Sequence, residues 1–296
     1  MLPLDQDLKS VKNSIVEFYD LTIRVLNYLP NVLSGKVIKN DYAIHFSDIA
    51  GTKKYIRPIN QNLFYYDIEG FKESYNDFLN VFAKVRNGRN SLTDLDKNII
   101  DSVLYTIQQA IGIGLDLVVG SNSARKHVGN RFEELIKAVF SEIGIANKKL
   151  VLQIPYETED GVKLYKCEND LILSPYKNVI STFNNIDERE IVVSIKTTSK
   201  DRMGKIFIDK LLLEKFIGHN QKIIGIFLND VQRKQSDNIC FTLVSGLFMV
   251  YSKFLTELDG IYYLDPPPNA NKSPYNRYMK PFSKLISEDI FKLLSS

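Results

Sequence analysis

The chain predicts an α/β (α+β) protein, and three observations carry that expectation. Apolar residues recur at helical spacing through the first third of the sequence. Short β-branched runs dominate after residue 145. One helical stretch, 203–217, sits between two of those runs.

Taken in order, Leu8, Val11, Ile15, Phe18, Ile23 and Leu26 mark a first helix that Pro30 closes. Residues 37–67 read as irregular or β-like, with Tyr55-Ile-Arg-Pro58 and Leu63-Phe-Tyr-Tyr66. Phe71, Tyr75, Phe78, Phe82 and Val85 form a second helical stripe that stops near Asn87-Gly88. Ser91 or Thr93 caps a third helix carrying Leu95, Ile99, Val103 and Ile107. Aromatic stripes at this spacing are core. A further helix over 128–143 places Phe132, Leu135, Ile136, Val139 and Phe140 on one side. Strand-like runs follow at 150–154, 170–173, 190–196 and 223–228. A strand candidate at 239–244 then leads into 247–258, and Tyr262-Tyr263-Leu264 forms a last short run. Pro266-Pro-Pro268 reads as the end of the compact region, with a basic tail and a short C-terminal helix beyond it. Three regions result: a mainly helical N-terminal region over 1–120, a core over 121–265 and a tail over 266–296.

Composition narrows the function classes. With 296 residues the chain can bury a large core, and a net charge of +3 neither demands nor excludes a polyanionic partner. Cys167 and Cys240 stand apart, without a CxxC or Cys/His cluster, so reduced thiols are expected and structural zinc is not. The start Met-Leu-Pro-Leu-Asp-Gln-Asp is unlike a signal peptide. The most apolar window, 110–119, is interrupted by Asp116 and is too short to span a bilayer, so a cytoplasmic protein is expected. No P-loop is present, and Gly112-Ile-Gly114 is followed by Leu117 where a dinucleotide fingerprint needs its third glycine. His45, His127 and His219 are scattered.

The chemistry concentrates in two strands. Asp170 opens the run Leu-Ile-Leu-Ser174, and Glu190-Ile-Val-Val-Ser194-Ile-Lys196 ends on a lysine before turning polar. Strand alternation puts Ile191, Val193 and Ile195 on one face and Val192, Ser194 and Lys196 on the other. Paired strands would then bring Asp170 to Ser194 and Lys196 at one rim of a sheet. A carboxylate beside an ammonium there can hold a divalent metal and steer a water at a phosphodiester. On the preceding helix, at about 100° per residue, Glu133 lies at the edge of the buried stripe and Glu134 on the solvent side.

Gly129-Asn-Arg-Phe-Glu133 on a helix, Asn169-Asp170 opening a strand and Ser194-Ile-Lys196 closing the next together resemble the PD-(D/E)xK nuclease core, over roughly residues 125–230. Within that superfamily the chain most resembles type II restriction endonucleases. The resemblance implies a mixed central β-sheet flanked by helices, with a largely helical N-terminal region. It also implies Mg²⁺ as cofactor, double-stranded DNA as substrate, a homodimer, and a separate methyltransferase for protection. Asp170 and Lys196 match the motif. Asn169 stands where proline is common, and Ser194 where the family places its second metal-binding carboxylate. Glu133 or Glu214, the latter on the helix after Lys196, would supply that carboxylate, and the backbone carbonyl of Ile195 would be a further metal ligand.

Thr198, Lys200, Arg202 and Lys205 suit a phosphate track, and Ser199 and Asp201 are good helix caps. Gln232 and Arg233, in the loop after 228, carry groups of the types that read base edges. Two other readings of the same residues stand beside a restriction enzyme. One is a repair or recombination nuclease of the same fold; the other is an inactive DNA-binding protein, for which Ser194 is the argument.

Overall fold

The computed structural model describes residues 2–49, 51–88, 92–199, 202–235, 237–243 and 245–295. The first apolar stripe is divided between two helices, α1 (Leu4–Lys9) and α2 (Ile15–Val32). Val11 lies between them and is 62% exposed, because Ser14 starts α2 afresh through a capping box with Glu17. Pro30 sits inside the last turn of α2 and does not end it. The region expected to be irregular or β-like is an antiparallel meander of β1 (Gly35–Lys39), β2 (Tyr42–Ile49) and β3 (Thr52–Asn60).

Helix α3 (Ile68–Arg86) ends before Asn87, and Gly88 takes a positive φ of 72°. Thr93 caps α4 (Asp94–Val118) in a capping box with Asp96. Leu95, in the first turn, is exposed and lies off the expected stripe, while residues 100–115 of α4 are buried. This helix absorbs the apolar window at 110–119. Among the described residues no helix is long and apolar enough to cross a membrane. Helix α5 (Ser121–Glu142) buries Phe132, Leu135, Ile136, Val139 and Phe140, as its spacing predicts.

Six strands form the main sheet: β4 (Ala146–Thr158), β5 (Gly161–Ser174), β6 (Ile191–Thr198), β7 (Lys222–Asn229), β10 (Gly260–Tyr263) and β11 (Met279–Pro281). Their spatial order is β11-β10-β7-β6-β5-β4. The sheet is mixed, antiparallel across β4, β5 and β6 and parallel from β6 through β7 and β10 to β11. Helix α6 (Arg202–Ile217) makes the crossover from β6 to β7. The hairpin β8 (Val231–Lys234)–β9 (Asn238–Phe241) and helix α7 (Ser245–Phe254) lie between β7 and β10.

The two sheet faces build two cores. Leu171, Leu173, Ile191, Val193 and Ile195 pack with the α2–α5 side, while Ile172 and Val192 pack with Ile206, Phe207 and Phe248 from α6 and α7. The alternation predicted along β6 is the alternation observed. Pro268 is not the end of the compact region. Beyond it β11 adds a parallel strand, and a helical stretch over 282–295 buries Phe282, Leu285, Ile286 and Ile290 in the same core as α4 and α5. Those residues recur at helical spacing, so the tail has an apolar face of its own to bury. Truncating one such fully buried phenylalanine to alanine typically costs about 3–5 kcal/mol.

Candidate active site

The candidate site forms where β5 and β6 part. Their backbone pairing covers Leu171–Leu173 against Val193–Ile191 and goes no further. Past that point the Asp170 side chain takes over as acceptor: its Oδ2 receives the backbone N–H of Ile195 at 2.7 Å and the ammonium of Lys196. The carboxylate is 13% exposed and the ammonium 26%, so this is a half-buried, charge-assisted contact. Among the described residues no hydrogen bond reaches Asp170 Oδ1. Residues 161–168 of β5 pair only with β4, forming a two-stranded ribbon that projects past the site.

Glu133 enters from α5. Its Oε2 accepts from Lys149 Nζ at 3.4 Å, and Lys149 also lies 3.9 Å from Glu168. Burial pushes the Glu133 carboxyl above its ordinary pKa, and the negative charge of Asp170 pushes it further; Lys149 and Lys196 pull the other way. Two carboxylates are therefore close enough to repel, each matched by a lysine. Burial pulls the Lys149 ammonium down, but the attractions of Glu133, Glu168 and Asp170 together outweigh it and leave its pKa raised. Lys149 was not visible as a site residue in the sequence. It faces a bulge in β5: Lys148 pairs with Ile172 and Leu150 with Asn169, so Lys149 alone stands opposite both Asp170 and Leu171.

Other expected residues fall elsewhere. Glu214 accepts the backbone N–H of Gln221 at 3.0 Å and lies 3.7 Å from Lys210. Gln221 precedes Lys222, the partner of Ile191, whereas Lys196 pairs with Phe227. Glu214 is thus at the opposite end of the strands, roughly 16 Å from Lys196 at 3.3 Å per residue. The structure does not bring it to Asp170, because α6 runs back down the sheet and its last turns lie far from the rim. Glu134 does not face solvent. It accepts from the backbone N–H of Lys12 at 2.8 Å and from Arg131 at 2.5 Å, because the α1–α2 link covers that side of α5. Ser194 lies beside Gly225 in the ladder and is half-buried.

Of the expected DNA contacts, Lys200 lies outside the described residues, as do Asp201 and Ser91. Arg202 is exposed, and Lys205 is engaged with Asp209 at 2.6 Å. The hydroxyls of Thr198 and Thr242 lie 3.3 Å apart, and Gln232 Nε2 donates to Thr198 at 3.3 Å, so Gln232 stands at the same rim as Lys196. The segment carrying Gln232 and Arg233 is strand β8 and not an open turn. Arg233 lies 6.0 Å from the centre of the Tyr55 ring on β3. Ser199 is buried and shares a hydrogen bond of 2.8 Å with Tyr263. Cys167 and Cys240 are free thiols.

The donor set fits a hard divalent cation. Among the described residues no group of three or more His, Cys, Asp or Glu side chains gathers, so Asp170 and Glu133 are the acidic pair on offer. Mg²⁺ is commonly held by one or two carboxylates and keeps several waters, which matches that supply. Asn169, beside Asp170, is buried, and its Nδ2 has no protein partner; a buried water would satisfy it.

No protein-family model matches the sequence, and no curated protein is similar to it in sequence. Among solved structures, the chain is similar to the type IIP restriction endonuclease Kpn2I. That match has a TM-score of 0.70 at 17% identity over 95% of this chain and 91% of the other. A complex of restriction endonuclease PspGI with substrate DNA also matches, at a TM-score of 0.43 and 12% identity over 75% of this chain and 93% of that one. The chain therefore has a restriction-endonuclease fold, the mixed sheet flanked by helices that its sequence implied.

Proposed function

We propose that the protein is a type II restriction endonuclease, hydrolysing phosphodiester bonds at a specific sequence in double-stranded DNA with Mg²⁺. The observation that carries this reading is the half-buried Asp170–Lys196 contact at the parting of β5 and β6, with Glu133 drawn in from α5. The fold alone hosts many activities, so the site has the greater weight. A near full-length likeness to Kpn2I is what favours a restriction enzyme over a repair or recombination nuclease.

Asp170, Glu133 and the Ile195 carbonyl would hold Mg²⁺, with Glu133 filling the role for which Ser194 has no carboxylate. When bound, the cation polarises the scissile phosphate and lowers the pKa of a coordinated water. The remaining work falls to the chain itself. Lys196 Nζ, once released from Asp170, donates a hydrogen bond to the attacking water and favours its hydroxide form. The Ile195 N–H keeps Asp170 oriented while the lysine is engaged elsewhere. Asn169 Nδ2, buried next to Asp170, donates to an ordered water. Thr198, Gln232 and Arg233, at the rim and on the hairpin beside it, meet the DNA. Cutting both strands with one site per chain calls for two copies on a two-fold target.

The test is incubation of the purified protein with unmethylated plasmid and phage DNA in Mg²⁺ or EDTA, beside Lys196→Ala. Discrete Mg²⁺-dependent fragments that vanish in the variant are expected. A smear would favour a structure-directed nuclease, and DNA left intact in Mg²⁺ would favour an inactive DNA-binding protein.

A further inference from the structure

The site contains one cation that the mechanism above leaves without a task. Lys149 stands on β4 opposite the bulge in β5, half-exposed, with its ammonium 3.4 Å from Glu133 and 3.9 Å from Glu168. Leu150 and Leu152 pack on the α6 side of the sheet, so strand alternation turns Lys149 to the α5 side, where Glu133 lies. Glu168 is the more exposed of its two partners, at 66% against 26% for Glu133. The ammonium can therefore leave Glu133 and still be held at the rim.

We propose that Lys149 is a positioning residue for the reading above: it holds the Glu133 carboxylate in place until the divalent cation arrives, then yields it and turns to a DNA phosphate. Charge balance at the rim supports this role. Asp170 and Glu133 repel each other at the rim, and each is matched by one lysine, Asp170 by Lys196 and Glu133 by Lys149. A divalent cation brings the same two positive charges to the same two carboxylates. Both lysines then become available, one to the water and one to the polyanion lying along the rim. Lys149 thus competes with the cation when DNA is absent and assists binding when DNA is present.

This role predicts effects of opposite sign in one variant. Lys149→Met should bind Mn²⁺ about 2- to 5-fold more tightly by isothermal titration without DNA, the equivalent of removing one exposed ion pair. In Ca²⁺, filter binding of labelled plasmid fragments by the same variant should weaken. The slope of log K against log salt should flatten by about one contact between roughly 50 and 200 mM salt. Lys149→Arg should restore both values, which a merely structural lysine would not require. Mn²⁺ affinity equal to or weaker than wild type overturns the inference, as does an unchanged salt slope. If the wild type neither takes up Mn²⁺ nor cuts DNA, the nuclease reading fails instead, and this inference with it. Thermal melting by circular dichroism separates these results from misfolding; the half-exposed position predicts little change.

Discussion

Replacing Lys196 by alanine should damage stability as well as chemistry, with a pH dependence that identifies the cause. In the native chain the ammonium contacts the Asp170 carboxylate, and both groups are more than two-thirds buried. Exposed ion pairs contribute about 0.2–1 kcal/mol, whereas breaking a buried pair costs about 3–5 kcal/mol. The Ile195 N–H still serves Asp170 in the variant, and Lys149 still serves Glu133. The expected loss is therefore intermediate, about 1–3 kcal/mol near pH 8. Lys196 also pulls the Glu133 carboxyl down, against burial and Asp170, which push it up. Without Lys196 that carboxyl rises further. A carboxyl raised on folding contributes stability that is fully present below its unfolded pKa and is lost as pH rises through the folded value. The gap between variant and wild type should thus be narrower near pH 4–5 than near pH 8. Urea denaturation followed by circular dichroism at several pH values measures it. A variant as stable as wild type at pH 8, or a gap independent of pH, would refute the view that Lys196 balances both carboxylates. Cleavage by the same variant should fall at least 10²–10³-fold, the scale seen when one oriented donor is removed.

Four further outcomes are expected. Glu133→Gln should abolish or strongly weaken Mn²⁺ binding by isothermal titration, whereas Glu214→Gln, at the far end of the strands, should leave cleavage within about 3-fold of wild type and lower stability by about 1 kcal/mol through its bond to Gln221. Asp101 is buried on α4, accepts from the backbone and hydroxyl of Ser283, and has its carboxyl pushed up to about 7 by burial. Its rise from near 4 corresponds to roughly 4 kcal/mol of stability lost between pH 4 and 7, so Asp101→Asn should flatten that part of the pH–stability curve measured by urea denaturation. Gly225→Ala should lower the melting temperature, by about 1–3 kcal/mol of overpacking, because the added Cβ would lie 2.9 Å from Ile261 and 3.0 Å from Phe227.

What the sequence disclosed follows how local each signal is. The β6 pattern needs only alternation, so the face shared by Ser194 and Lys196 and its meeting with Asp170 were legible. Glu133 was legible as an edge residue because a helical stripe has a definite boundary. Lys149 was not, since a bulge is a property of two strands and their register, and Lys148-Lys149 reads as two interchangeable surface cations. Glu214 misled for a related reason: its residue type suited the role, but the direction in which α6 returns along the sheet decides which end it reaches. Val11 and Leu95 fit helical spacing yet are exposed, because the helix starts set by Ser14 and Thr93 override the apolar count. The proline run at 266–268 looked like an end and is only a turn before the last strand.

The central claim is that this rim cuts duplex DNA at one sequence. Sequencing the ends left by Mg²⁺-dependent digestion of unmethylated phage DNA tests it most directly. Every end should carry the same short two-fold-symmetric sequence, cut at the same position, and no ends should appear with Asp170→Asn. Ends scattered without a shared sequence, or ends that persist in that variant, would contradict it.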